Sequence, residues 1–199
     1  MACVGCSGST ELFFILLSLI SPCNAWKVVA KMKTILMVIS TKNFRDEEYF
    51  HPKQVFENRG FRVVTTSYER MSTSKFGQRV STDVMFVDVQ TEKYDAVVFV
   101  GGAGASIYFN DARAHDLCRA FSRAGKPTAA ICIAPVTLAN AGVLAGKQAT
   151  CFESEAPRLK EKGAEYTGAP VTVDGMIVTA NGPKAAKDFG EAISKLLLN

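Results

Sequence analysis

The chain has 199 residues, 48% of them hydrophobic and 21% charged, which suits one soluble domain with a sizeable core. Its net charge of +4 comes from interspersed acids and bases; with no basic block to track a phosphate backbone, no nucleic-acid partner is expected. The six cysteines are split between the segment ending at Cys23 and scattered positions in the body, which excludes a compact disulfide framework.

Residues 1–31 differ in character from the rest of the chain. Leu12 to Ile20, LFFILLSLI, is too short to span a bilayer as a helix, and no membrane association is expected. The run suits the apolar centre of a signal peptide, with Cys23-Asn24-Ala25 as a cleavage site, but MACVGCSGSTE before it carries no Lys or Arg. Cys3-Val4-Gly5-Cys6 is a single C-x-x-C, half of a zinc site. No metal and no cofactor is expected. We read residues 1–31 as an N-terminal extension, with the domain occupying 32–199 from Met32 in a cytoplasmic protein. The alternative is a secreted protein whose residues 1–25 act as a signal peptide.

Thr34 to Ser40 reads as a first strand, a nearly continuous apolar run suited to a sheet buried on both faces. Thr41 to Arg45 reads as a polar loop. Asp46 to Arg59 has helical character and stops at Gly60, and Pro52 inside it predicts a kink or break just before it. Phe61 to Ser67 is a second strand, Met71 to Phe76 a loop, and Arg79 to Val89 a short hairpin or strand pair. Ala96 to Val100 is a strong strand ending in Gly101-Gly102-Ala103-Gly104. Asp111 to Ala124 is a helix. Thr128 onward forms a buried strand that delivers Cys132 to a turn, and a helix leaves towards Asn140-Ala141-Gly142. Lys147 to Phe152 is a short strand and Glu153 to Lys162 a helix. Val171 to Val173 and Met176 to Ala180 form a hairpin around Asp174-Gly175, and Pro183 opens the last helix, Lys184 to Leu198.

Strands alternating with helices imply a doubly wound sheet of mostly parallel strands, whose ligand site lies beyond their carboxyl ends. The loops Thr41 to Glu48 and Gly101 to Ser106 should therefore meet the Cys132 turn. A strand–cysteine–helix elbow lifts the thiol from the sheet, and the helix N-terminus should lower its pKa. The bland alternative is a small buried core cysteine. Glu47 or Glu48, partly desolvated beside the turn, would have a raised pKa and share a proton with the thiol; the other acid would only favour the helix dipole. The amides of Gly101, Gly102 and Ile133 form a candidate oxyanion hole. His51 is the nearest candidate proton carrier, while His115 reads as solvated, Cys118 and Cys151 as packing residues, and Arg45 as an exposed loop arginine or a contact for an anionic substrate. The G-x-G-x-x-G dinucleotide pattern fails, since Gly102 and Gly104 are followed by Ile107.

Asp46-Glu47-Glu48 with Pro52, VVFVGGAGA (97–105), GKPTAAICIAPVTLANAGVLAGKQAT (125–150) and DGMIVTANGP (174–183) together resemble the ThiJ/PfpI superfamily from Lys33 to the C-terminus. That superfamily includes the parkinsonism-associated deglycase and the PfpI intracellular peptidases. The resemblance implies a flavodoxin-like, class I glutamine-amidotransferase-like three-layer sandwich, assembled as a homodimer or higher oligomer. It implies Cys132 as the nucleophile, Glu48 rather than Glu47 as its carboxyl partner, and Gly102 and Ile133 as backbone donors. Two positions depart from the family. Ile133 stands where peptidase-type members carry His, and Cys151-Phe152 stand nearest to where deglycase-type members carry one. This argues against a glutamine amidotransferase and weakens a peptidase triad.

The function expected on this basis is a glyoxalase- or deglycase-type enzyme acting on small reactive carbonyls or glycated substrates through Cys132 and Glu48, with slow turnover for want of a histidine. The alternatives are a redox-sensing stress protein with an oxidisable Cys132, and a PfpI-type peptidase or other hydrolase.

Overall fold

The computed structural model describes residues 32–199; the expectations for residues 1–31 lie outside them. The strands are β1 (Thr34–Val38), β2 (Lys42–Phe44), β3 (Arg62–Ser67), β4 (Met71–Ser74), β5 (Arg79–Ser81), β6 (Val84–Met85), β7 (Ala96–Phe99), β8 (Thr128–Ile131), β9 (Gln148–Ala149), β10 (Glu165–Tyr166), β11 (Val171–Asp174) and β12 (Ile177–Ala180). The α-helices are α1 (Asp46–Asn58), α2 (Ala112–Arg123), α3 (Pro135–Asn140), α4 (Ala156–Glu161) and α5 (Ala186–Leu198). The main sheet has seven strands in the order β11-β12-β8-β7-β1-β3-β6, all parallel except β11. No helix among the described residues is long and apolar enough to cross a membrane.

Alternation along β1 builds the layers. Ile35, Met37 and Ile39 enter one core with Tyr49 and Phe56 of α1 and Phe189 and Ile193 of α5. Leu36 and Val38 enter the other, with Leu117 and Phe121 of α2, Leu138 of α3 and Leu159 of α4. A period of two on a sheet covered on both faces gives the continuous apolar runs seen in the sequence. The expected flavodoxin-like three-layer sandwich is thus the observed fold. Because β8, β7 and β1 are parallel neighbours, the loops after them open at one edge of the sheet.

Several local expectations need correction. α1 runs unbroken through Pro52. In a helix the absent Pro52 N–H would have served the Glu48 carbonyl alone, and the ring is buried where α5 comes close. A Cβ on Gly190 would lie 3.0 Å from Pro52 Cα. Met71–Ser74, expected as loop, is β4; it pairs parallel with β2 and antiparallel with β5 in a small separate sheet. Its buried positions are Ser72 and Ser74, so the period-two signal lay in hydroxyls rather than apolar side chains. Arg79–Val89 is no hairpin: β5 joins the small sheet, β6 joins the main one, and Phe86–Asp88 is a 3-10 turn. His115 is half-buried, and its ring Nε2 lies 2.8 Å from the Phe109 carbonyl oxygen.

The glycine-rich loop after β7 is seated directly on β2. A methyl group at Gly104 would stand 1.8 Å from the Lys42 carbonyl oxygen and 2.4 Å from Ser40 Oγ. Gly104→Ala is therefore expected to cost about 2–4 kcal/mol of stability. Urea denaturation measures it, and an unchanged midpoint would mean that the loop does not sit on β2.

Candidate active site

Cys132 follows directly on β8, with φ +65, one of two non-glycine positive values among the described residues; Asn43, at φ +58, is the other. Such a conformation costs on the order of 1–3 kcal/mol at a non-glycine residue and persists only where the surroundings fix it. Both backbone groups of Cys132 are fixed. Its N–H donates to the Ala180 carbonyl at 2.9 Å, and its carbonyl accepts from the Phe152 N–H at 2.8 Å. The side chain leaves the sheet towards the α1 face, 9% exposed, and α3 begins three residues later.

Glu48 reaches the same point from the first turn of α1, fully buried. The helix turns about 100° per residue, so Glu47 faces outward and forms a bidentate pair with Arg45 at 2.7 and 3.2 Å, while Glu48 faces the core. The two adjacent acids thus face different surroundings. Gly101 lies between Glu48 and Cys132: a Cβ there would stand 2.4 Å from Glu48 Oε2 and 2.6 Å from Cys132 Cβ. Gly102, at φ +96, leaves equally little room against the Asn43 carbonyl oxygen and the Arg45 nitrogen, both 2.5 Å from a Cβ placed on it. The two glycines are what let three loops close on one thiol.

The amides divide differently from the sequence reading. Those of Gly102 and Ile133 bear on the Cys132 sulfur and favour its charged form. That of Gly101 bears on Glu48 instead, so Gly101 is not a third donor at the thiol. Its carbonyl accepts from the Arg45 N–H at 3.0 Å. His51 is displaced further from its expected role. It is exposed on α1 beside Lys187 and Glu191 of α5, in a surface depression separate from Cys132. Neither histidine lines the cysteine cleft.

That cleft holds about 630 Å³. Beyond Cys132, Glu48, Gly102 and Ile133, its walls include Arg45, Lys75, Phe109, Phe152 and Arg158. Lys75 was missed because it sits just past β4, in a stretch too polar to read as a strand; Phe152 was noted only as standing near a missing histidine, and Arg158 carried no motif at all. Among the described residues no cluster of three or more His, Cys, Asp or Glu side chains could hold a metal ion.

Burial dominates the titration of the pair. It pushes the Glu48 carboxyl up to about 7, with Glu47 adding to the rise, against the lowering effects of the Cys132 thiol, Arg45 and the Gly101 amide. Neither Glu48 oxygen has a partner of good hydrogen-bond geometry, so the thiol and amide contacts are loose and desolvation prevails. Burial and then the Glu48 carboxylate push the Cys132 thiol up to about 12, against the Gly102 and Ile133 amides. The expected lowering by the helix N-terminus is therefore overturned: α3 has only six residues, and its dipole does not offset burial beside a carboxylate. The two groups titrate as one system that releases its first proton near 7 and keeps the second. In the singly protonated state, thiolate with carboxylic acid interconverts with thiol and carboxylate.

A family model described as DJ-1/PfpI matches residues 33–196. The chain belongs to the DJ-1/PfpI family. An uncharacterised protein of Methanocaldococcus jannaschii is 37% identical over 171 residues, covering 84% of this chain and 83% of that protein. A protein of Thermococcus kodakarensis named as a deglycase is 32% identical over 149 residues, covering 74% of this chain and 90% of its own. Among solved structures, a ThiJ/PfpI domain protein from Brachyspira murdochii superposes with a TM-score of 0.82 at 36% identity, covering 84% of this chain and 97% of that one. The alternating apolar strands and the elbow described above are thus a DJ-1/PfpI fold.

Two measurements test the pair. A folded-state value near 7 against an ordinary 4.5 means that Glu48 favours folding most below pH 4.5 and loses that contribution as pH rises through 7. Relative to Glu48→Gln, the wild type should lose about 3 kcal/mol across that window and then level off. Thermal unfolding against pH reads this, and parallel curves for the two proteins would refute the raised carboxyl. Alkylation of Cys132 by iodoacetamide should rise through an inflection near pH 7, where the pair gives up its first proton. In Glu48→Gln that inflection should vanish, leaving one in the alkaline range; an identical profile in both proteins would show the groups uncoupled.

Proposed function

We propose that this DJ-1/PfpI protein is a cofactor-independent, cysteine-dependent enzyme acting on small reactive carbonyls or their adducts, with Cys132 as nucleophile and Glu48 as proton partner. The observation that supports this most is the meeting of a buried carboxyl and an elbow thiol across Gly101, at the floor of an open cleft. The relative named as a deglycase points to the same substrate class. With no histidine among the described residues of the cleft wall, the peptidase alternative has no imidazole base to work with. By family membership we extend the proposal to a homodimer or larger homo-oligomer.

With a 2-oxoaldehyde such as methylglyoxal, the Cys132 sulfur bonds to the aldehyde carbon while Glu48 passes the thiol proton to the carbonyl oxygen, giving a hemithioacetal. The Gly102 and Ile133 N–H groups hold that oxygen as charge develops, a contribution of about 3 kcal/mol per donor in comparable sites. Glu48 then takes the hydrogen from the former aldehyde carbon as a proton and returns it to the neighbouring carbon, while the hydroxyl proton of the hemithioacetal passes to the neighbouring carbonyl oxygen. The first carbon is oxidised to a thioester and the second reduced to an alcohol, so no external oxidant enters. Water cleaves the carbon–sulfur bond, the thiol regains its proton, and a 2-hydroxy acid leaves. A carboxyl titrating near 7 can both give and accept a proton at neutral pH.

The test is lactate formation from methylglyoxal. Cys132→Ala should abolish it, and Glu48→Gln should lower kcat by about 10²–10⁴-fold, the usual span for a proton-transfer group. Equal activity in the wild type and Cys132→Ala would overturn the proposal.

A further inference from the structure

The cleft beside Cys132 carries charge that the carbonyl chemistry above leaves unused. Arg45 and Lys75 lie on its wall, joined by Arg158 from α4. Arg158 is balanced by Glu155 at 3.4 Å and lies over the Phe109 ring. Arg45 is held differently. Glu47 grips its Nε and one Nη2 hydrogen, and Phe76 lies under the guanidinium with the ring centroid 5.1 Å away. Its backbone N–H is tied to the Gly101 carbonyl at 3.0 Å. A guanidinium has five N–H donors, and those on Nη1 have no partner among the described residues. This group is close enough to Glu48 and Cys132 for both to act on it electrostatically.

Lys75 sits on a rigid arch rather than a free loop. Its N–H donates to the Phe44 carbonyl at 2.8 Å. Ser74 Oγ donates to Asp46 Oδ1, the Phe76 N–H to Asp46 Oδ2 at 3.2 Å, and the Gln78 N–H to Ser74 Oγ at 2.9 Å. Asp46 is itself mostly buried at the start of α1, so the arch is fastened to the element that carries Glu48. The Lys75 ammonium has no carboxylate within 4 Å among the described residues, and its neighbour is the Phe76 ring. Glu48, the carboxyl at the floor, shares its charge with a proton. The cleft lining carries three cations, Arg45, Lys75 and Arg158, against the carboxyls Glu48 and Glu155, with one oriented fork and one ammonium without a carboxylate partner on the wall beside the thiol.

We infer that Arg45 and Lys75 form an anion subsite, so that the preferred substrate is a reactive aldehyde or 2-oxoaldehyde carrying a carboxylate or phosphate. Arg45 presents planar, fixed donors that suit either oxyanion, and Lys75 adds a point charge. The inference deepens the proposed function and rests on Cys132 as the attacking group. A neutral carbonyl such as methylglyoxal would fill the reacting end of the cleft and leave the cations unsatisfied.

The subsite can be tested apart from turnover, by the reaction of Cys132 with iodoacetate and with iodoacetamide at fixed pH. Both transfer their carbon to the thiolate and expel iodide, and they differ in charge. Peptide mass spectrometry resolves Cys132 from the other cysteines. The ratio of the iodoacetate rate to the iodoacetamide rate should exceed that of mercaptoethanol by about tenfold, as a cleft of one sign concentrates its counter-ion, and should fall with added salt. Lys75→Met, at an exposed position that spares the fold, should lower the ratio severalfold, and Arg45→Met should lower it further. A ratio equal to that of mercaptoethanol, or unmoved in both variants, overturns the subsite. In parallel, 4,5-dioxopentanoate, a 2-oxoaldehyde with a carboxylate tail, should be converted to 2-hydroxyglutarate with a lower KM than methylglyoxal to lactate, and the variants should erase the difference. Turnover of both compounds with no charge preference overturns the subsite while sparing the carbonyl reaction. A charge-dependent alkylation ratio with neither compound turned over sustains the subsite and removes the carbonyl reaction.

Discussion

Everything at this site depends on one close approach, the passage of the Gly101 backbone between the Glu48 carboxyl and the Cys132 side chain. No residue with a Cβ fits there. The contact excludes water from both groups, and that exclusion drives the carboxyl up and makes the two protons interdependent. The parallel adjacency of β1, β7 and β8 brings the three chain segments to the same edge. Adjacency alone would leave them some ångströms apart; the glycines after β7 bring them into contact.

Fixing the approach takes a framework that does not yield. Cys132 is held in its positive-φ conformation by hydrogen bonds from two different segments, at Ala180 and Phe152. Glu48 is held by a helix that is clamped to α5 one turn further on, through Pro52 and Gly190. The end of β1 is braced by the Tyr108 hydroxyl, which donates to the Ile39 carbonyl at 2.9 Å. A group buried without good hydrogen bonds, as Glu48 is, costs stability.

The sandwich was legible in the sequence because its strands are buried on both faces, and the apolar runs of β1, β7 and β8 had no rival reading. The convergence of Glu48, Gly102 and Cys132 followed from topology and from the elbow motif. The small sheet of β2, β4 and β5 was hidden because serines fill its buried positions; hydrophobic periodicity cannot report a strand whose inner face is hydroxyls. The fate of His51 was hidden for another reason. It lies three residues after Glu48, near the same side of α1 by spacing, yet one turn along the helix carries it away from the sheet edge to solvent beside α5. The direction of the Cys132 shift depends on a competition between burial and a helix dipole; the short helix ending at Asn140 was legible, but the burial of the thiol beside Glu48 was not.

The adjacent acids Glu47 and Glu48 show how one helical turn can serve two purposes. Both stand in the first turn of α1, where either favours the dipole. The rotation between them sends Glu48 into the core, where its charge is disfavoured and its proton becomes mobile. It sends Glu47 outward to Arg45, where its charge is retained: against burial, its own backbone N–H and then the guanidinium lower its pKa. Exchanging their environments would exchange their chemistry. The ion pair at Glu47 is half exposed and adds little to stability by itself. Its consequence is positional: it fixes the plane of the Arg45 guanidinium beside a thiol whose charged form that cation favours. A cation held at that spot favours negative charge on the sulfur and on an incoming anion alike, so binding and thiolate formation would draw on the same field.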